Sequence, residues 1–224
     1  MMGAYKHFEL ETDADGIVWM AIDVAGKSVN VMSVEVMEEL SVITTDLAKN
    51  PPAGFVVYSK KQRGFIFGAD INEFDGFADA AAVEAHIHGV LASFNRIEDL
   101  PCVTVILIDG ICLGGGYEMA LAFDRIIGIE AASCQVGLPE ISLGLLPGYG
   151  GSGRAYARMG LESAVTMVLS GRSVRAMDAV ATGAIDHVVP DKEALFVGAR
   201  DAIAGKIARK EPVACANPSA FIAQ

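Results

Sequence analysis

The chain has 224 residues, a formal net charge of −11 and a hydrophobic fraction of 52%, enough for one sizeable domain with a large core. The negative field argues against nucleic acid or an anionic membrane as a main partner. Any anionic ligand must then be held by local cations and backbone N–H groups.

The four cysteines (Cys102, Cys112, Cys134 and Cys215) form no C-x-x-C pair and have no histidine at metal-ligand spacing. They read as free thiols of a reducing compartment, and no metal is expected. The N-terminal stretch "MMGAYKHFELETDADG" lacks the apolar core of a signal peptide. The longest apolar run, "CVTVILI" at 102–108, is far too short to cross a bilayer. A soluble, cytoplasmic protein is expected.

In chain order, "YKHFELET" and "GIVWMAID" flank "DADG" and predict two antiparallel strands joined by a turn. Segment 33–49 carries Val34, Met37, Leu40, Val42, Ile43 and Leu47 near helical spacing, with Ser33 as N-cap and Pro51-Pro52 beyond its end. "GFVVYSK" predicts a buried strand. A loop, "KQRGFIFGADINEF", follows, and then a helix with Val83, Ile87, Val90, Leu91, Phe94 and Ile97 on one side. "CVTVILIDG" is the clearest buried parallel-type strand, and it runs into the glycine turn and helix of "GGGYEMALAFD". "RIIGIE" and "SCQVGLPE" predict short strands, and the 150s and 160s a helix. "GRSVRAMDAVATGAIDHVV" predicts an Ala-faced helix stopped at Gly183, then a closing strand. Alternating strands and helices give an α/β class with right-handed crossovers. Residues 1–190 read as the core domain and 191–224 as a partly helical tail.

Gly148-Tyr149-Gly150-Gly151-Ser152-Gly153 spells G-x-G-x-x-G, the dinucleotide fingerprint. That motif needs a buried strand before it and an acidic residue ending the next strand about 20 residues later. Gly144 and Pro147 break any preceding strand, and Glu162 and Asp178 fall in helical segments. NAD binding is therefore rejected. His86 and His88 lie two apart on a helix and do not share a face. With His7 and His187 they read as ordinary surface or partly buried histidines.

Chemistry concentrates in three places: Gly68-Ala69-Asp70-Ile71, Gly114-Gly115-Gly116-Tyr117-Glu118, and Gly137-Leu138-Pro139-Glu140. Consecutive glycines before a helix let the backbone approach a ligand and aim free N–H groups at it. Such a turn suits a negative oxygen that appears only during reaction, and two nearby carboxylates suit a general acid and a general base. Taken singly, each feature also serves packing or the helix dipole; their conjunction points to catalysis.

"GFIFGADINEF", "DGICLGGGYEMALAFDRIIG" and "VGLPEISLGLLPGYGGSGR" closely resemble the crotonase (enoyl-CoA hydratase/isomerase) superfamily over residues 5–190. Within it, the likeness is greatest to the hydratase part of multifunctional fatty-acid oxidation α-subunits. The resemblance implies a spiral of ββα units assembled as a homotrimer or hexamer. It implies an acyl-CoA substrate, with CoA as part of the substrate and no separate cofactor. Ala69 and Gly115 match the oxyanion hole, and Glu118 and Glu140 the two catalytic glutamates, with Glu118 acting mainly on water and Glu140 on the α-carbon. Asp70 and Ile71 match the strip beside the adenine, and Lys27 to Met32, with Val29 and Val31, the opposite wall of the CoA groove; Gly68 and Gly114 belong to the same substrate-binding set. Lys27, Lys60, Lys61 and Arg63 are candidates for phosphate contact. Phe74, Phe77, Leu145 and Tyr149 are expected around the acyl tail.

The pair of glutamates favours a 2-enoyl-CoA hydratase performing syn addition of water. A Δ3-Δ2-enoyl-CoA isomerase, or a catalytically quiet protein that binds CoA esters or a partner, are the alternatives. The sequence is some tens of residues shorter than stand-alone hydratases, and the dehydrogenase domain of the multifunctional relatives does not follow in it. That leaves the lid and the mode of assembly open.

Overall fold

A computed structural model describes residues 5–62, 64–70, 73 and 76–210. The chain opens with a hairpin, β1 (Phe8–Thr12) and β2 (Ile17–Ile22), antiparallel with Phe8 opposite Ile22. Asp13 closes its turn by accepting the Asp15 and Ile17 N–H groups on one carboxylate oxygen. Helix α1 (Val34–Lys49) starts at Ser33, whose hydroxyl accepts the Val36 N–H. After β3 (Gly54–Ser59) comes α2 (Ala80–Glu98), capped in the same way by Asp79.

The next two units share one plan. Strands β4 (Val103–Ile108) and β5 (Ile111–Leu113) lead into α3 (Gly115–Ala120). Strands β6 (Arg125–Ile129) and β7 (Gln135–Gly137) lead through a 3-10 turn, Pro139–Leu143, into α4 (Gly151–Ser170). Then follow β8 (Val174–Arg175), α5 (Ala176–Ala179), β9 (His187–Val189) and α6 (Lys192–Ile203).

One sheet has the order β1-β2-β3-β4-β6-β9, parallel apart from the opening hairpin, and a smaller sheet has the order β5-β7-β8. Each unit sends its first strand to the large sheet and its second to the small one. The segment after β3 joins this plan through Ile66, which bridges Cys112 of β5. The result is the expected spiral of ββα units.

The large sheet is covered on both faces, which is why its strands read as near-continuous apolar runs. Met20, Ile22, Phe55, Val57, Ile106 and Ile108 pack with the buried side chains of α1 and α2 on one face. Val56, Val105, Leu107 and Ile127 pack with Leu195, Ala199 and Ala202 of α6 on the other. Neighbours along a strand thus separate between the two clusters by the period of two.

The expected Ala-faced helix after Gly171 does not form as one element. Val174 and Arg175 pair antiparallel with β7, and only Ala176–Ala179 are helical before the turn at Gly183. Edge pairing of the small sheet overrides helix propensity there. Below this region Arg158 and Asp186 form an ion pair with both side chains fully buried. Asp186 also accepts the Ile126 N–H at 2.7 Å and the Lys210 N–H at 2.8 Å, which ties the segment after α6 to the core.

Candidate active site

The strand-to-helix turns of successive units converge on a cavity of about 370 Å³. Gly68 and Ala69, Gly114 and Gly115, Glu118, Glu140 and Tyr149 all line it. Met32 and Ala69 form an isolated parallel bridge. Its bonds use the Met32 N–H on Gly68 O and the Asp70 N–H on Met32 O. The Ala69 N–H lies between them and has no acceptor among the described residues. Gly115 opens α3, so its N–H has no intrahelical acceptor either. Gly114 makes the turn at φ 53°, and a Cβ there would stand 3.2 Å from Glu140 Oε1. A Cβ on Gly116 would stand 2.6 Å from the Ile66 side chain. The glycine run therefore serves both backbone shape and close approach.

Glu118 sits in the first turn of α3 with 2% of its surface exposed. Its Oε1 accepts two backbone N–H groups, from Tyr149 and Gly151, each at 2.8 Å. Burial pushes its pKa up to about 7; the Gly151 N–H opposes that, Glu140 adds to it, and the Tyr149 N–H opposes it again. Glu140 stands in the 3-10 turn behind Pro139, and its Oε2 is buried with no hydrogen-bond partner among the described residues. Burial raises this carboxyl too, against a lowering by its own backbone N–H. The two carboxyls thus differ in support: donors hold Glu118 in place and favour its ionised form, whereas Glu140 Oε2 has none.

The sequence of residues 13–220 matches the family model described as enoyl-CoA hydratase/isomerase. The chain belongs to the enoyl-CoA hydratase/isomerase family. It is 36% identical over 212 residues to "Fatty acid oxidation complex subunit alpha" of Idiomarina loihiensis, an alignment that covers 94% of this chain and 30% of that one. The subunit of the same name from Vibrio campbellii is 34% identical, with 92% and 29% covered. The chain therefore spans under a third of the length of these curated relatives. Among solved structures, the enoyl-CoA hydratase from Bacillus anthracis aligns with a TM-score of 0.80 at 26% identity, over 89% of this chain and 76% of that one. DspI from Pseudomonas aeruginosa aligns with a TM-score of 0.79 at 28% identity, over 95% and 78%. The ββα spiral is accordingly the crotonase fold.

Against this family background, the predicted acyl-tail residues Leu145 and Tyr149 line the cavity, as does Phe77, whereas Phe74 and Ile71 lie outside the described residues. Lys27 is exposed and pairs with Asp70 at 3.4 Å, bringing the two predicted walls of the CoA groove together. Val29 and Val31, both half-buried, belong to that strip and do not line the cavity. Lys60 and Lys61 are committed within the fold. Lys60 pairs with Glu9; Lys61 holds Asp23 and donates to Val24 O and Lys27 O, bracing the 24–27 turn. Arg63 lies outside the described residues.

His86 is partly buried, as expected, and in addition it lines the cavity, with its Nε2 3.2 Å from the Tyr149 hydroxyl. A signal existed in the sequence, because Val83, His86 and Ile87 share one helical face at i, i+3 and i+4. The backbone role of Gly151 was also invisible, since nothing in a glycine's identity shows where its N–H points. Among the described residues no group of three or more His, Cys, Asp or Glu could hold a metal ion, and no helix is long and apolar enough to cross a membrane.

Proposed function

We propose that the chain is a 2-enoyl-CoA hydratase that adds water syn across the double bond to give a 3-hydroxyacyl-CoA. The observation that carries this reading is the meeting of Glu118 and Glu140 with the free N–H groups of Ala69 and Gly115 in one cavity. The thioester oxygen accepts from the two N–H groups, and Glu118 takes a proton from water as its oxygen attacks C3. The enolate so formed is held at Ala69 and Gly115, where one such donor is typically worth roughly 10²–10³ in rate. Glu140 then delivers its carboxyl proton to C2. The proton on Glu118 then passes through solvent to the Glu140 carboxylate, so that the hydroxyl at C3 and the hydrogen at C2 account for one water.

Burial of both carboxyls supports these roles. Burial raises the Glu140 carboxyl above its ordinary value and its buried Oε2 meets no donor, so it holds a proton more readily than a solvated glutamate. Glu118 keeps its two donors when ionised, as a base should. CoA enters as part of the substrate along Lys27–Met32 and Asp70, and the reaction needs no further cofactor. Assembly as a homotrimer or hexamer and a cytoplasmic setting complete the proposal.

Loss of the enoyl-thioester absorbance with crotonyl-CoA tests it. Hydration is expected, and Glu140→Gln should abolish most of it. No hydration by the parent protein, or turnover confined to a 3-enoyl-CoA, would overturn the assignment.

A further inference from the structure

Most of the cavity wall is apolar, with Phe67, Phe77, Val83, Ile87 and Leu145 among its side chains. Beyond the glutamates, His86 and Tyr149 bring a second polar pair into it. Tyr149 is 7% exposed, and its ring edge abuts the oxyanion turn: a Cβ on Gly115 would stand 3.1 Å from Tyr149 Cε2. The hydroxyl, on the ring carbon next to Cε2, meets His86 Nε2 at 3.2 Å. Phe77 packs against the imidazole, ring centres 5.2 Å apart.

One shared hydrogen bond does not exhaust this pair. If the phenol donates to Nε2, its oxygen still has lone pairs to offer, and the imidazole Nδ1–H still has a proton to give. His86 Nδ1 makes no hydrogen bond among the described residues. A plain alkyl tail laid over the pair would strip water from these groups and return nothing. A tail carrying an oxygen at that depth would replace the water.

We propose that His86 and Tyr149 form a specificity contact for acyl chains bearing a hydroxyl or carbonyl oxygen beyond C3. The preference is for a neutral oxygen. Burial lowers the His86 pKa, so the imidazole is uncharged at neutral pH, and the nearby carboxylates of Glu73 and Glu38 would repel an anionic tail. Such a substrate is an oxygenated enoyl thioester, of the kind a hydroxylating or ketone-forming step on the chain would supply. This inference rests on the hydratase reading for its reaction, but the contact itself is a matter of binding.

The test uses saturated thioesters, which cannot be hydrated, so that it separates from the reaction. Hexanoyl-CoA and hydroxyhexanoyl-CoA carrying the hydroxyl at C4, C5 or C6 are titrated into the protein by calorimetry. At least one hydroxylated ester is expected to bind about tenfold tighter than hexanoyl-CoA, the effect of one well-placed hydrogen bond. That ratio should fall toward one in both His86→Leu and Tyr149→Phe, and His86→Gln should restore part of it. A pair that only tied α2 to the 148–151 loop would weaken all four esters alike and leave the ratio intact. A parental ratio of one or less for every hydroxylated ester, or a ratio unmoved in both variants, overturns the proposal. Failure of crotonyl-CoA hydration alongside a preserved ratio would remove the reaction and leave the contact standing.

Discussion

The Gly151 N–H donates to Glu118 Oε1 at 2.8 Å, and a Cβ on the same glycine would stand 2.6 Å from Glu118 Cγ. One residue thus both bonds the carboxylate and leaves the space it occupies. Gly151 is the first residue of α4, where alanine suits the backbone. Gly151→Ala should therefore fold and misplace Glu118. We expect kcat with crotonyl-CoA to drop by on the order of 10²-fold, because small errors in placing a catalytic group are costly. Circular dichroism should be unchanged; a parental kcat would show that Glu118 placement does not depend on this glycine.

Glu118 also makes stability depend on pH. Its pKa is raised from 4.5 to about 7, so the folded protein keeps a proton that the unfolded chain releases earlier. This contribution is full below the unfolded value, shrinks as pH rises between the two, and is lost above about 7. Glu118→Gln stays neutral throughout and can still accept both N–H groups. The variant should gain on the parent between about pH 5 and about pH 8, by on the order of 3 kcal/mol at most. Urea denaturation at the two pH values measures the gap, and a gap that does not widen contradicts the raised pKa.

Glu140 should act on both chemistry and charge. Glu140→Gln removes the acid, and hydration is expected to fall by about 10²–10⁴-fold. When ionised, Glu140 also helps raise Glu118, and the substitution removes that contribution. The alkaline loss of stability should therefore shift to lower pH in this variant, which a pH series of melting temperatures would read. An unmoved profile would deny that the two carboxyls interact.

The Arg158–Asp186 pair is fully buried, and Asp186 additionally holds the Ile126 and Lys210 N–H groups. Arg158→Met would leave an uncompensated buried carboxylate, at a cost of about 3–5 kcal/mol. Removing both charges in Arg158→Met with Asp186→Asn should cost less than the sum of the two single changes. Chemical denaturation of the four proteins of the cycle gives the coupling directly; additive losses would mean the two side chains act independently.

Much of the fold was legible because it rests on local signals. The 33–49 helix had its Ser33 cap and its apolar spacing, and the buried strand at 103–108 had its unbroken apolar run. The segment after Gly171 misled for the opposite reason. Its alanines favour helix locally, but pairing of Val174 and Arg175 with β7 decides their conformation from outside the segment. The cavity role of His86 was not legible: on its own helix it is one polar residue among many, and only the distant Tyr149 loop makes it part of a cavity wall.

By itself the sequence determined the order of strands and helices, the three glycine-bearing turns and the two glutamates worth watching, since spacing, caps and turn residues act within a few positions of the chain. It also argued against reading Gly148–Gly153 as a dinucleotide fingerprint, because that motif's requirements are local too. Tertiary structure alone decided what those glycines do instead. The loop folds back over 30 residues to present the Tyr149 and Gly151 N–H groups to Glu118. Hydrogen bonds and burial between segments far apart in sequence have no periodicity to betray them, and in this protein they set the state of the carboxylates.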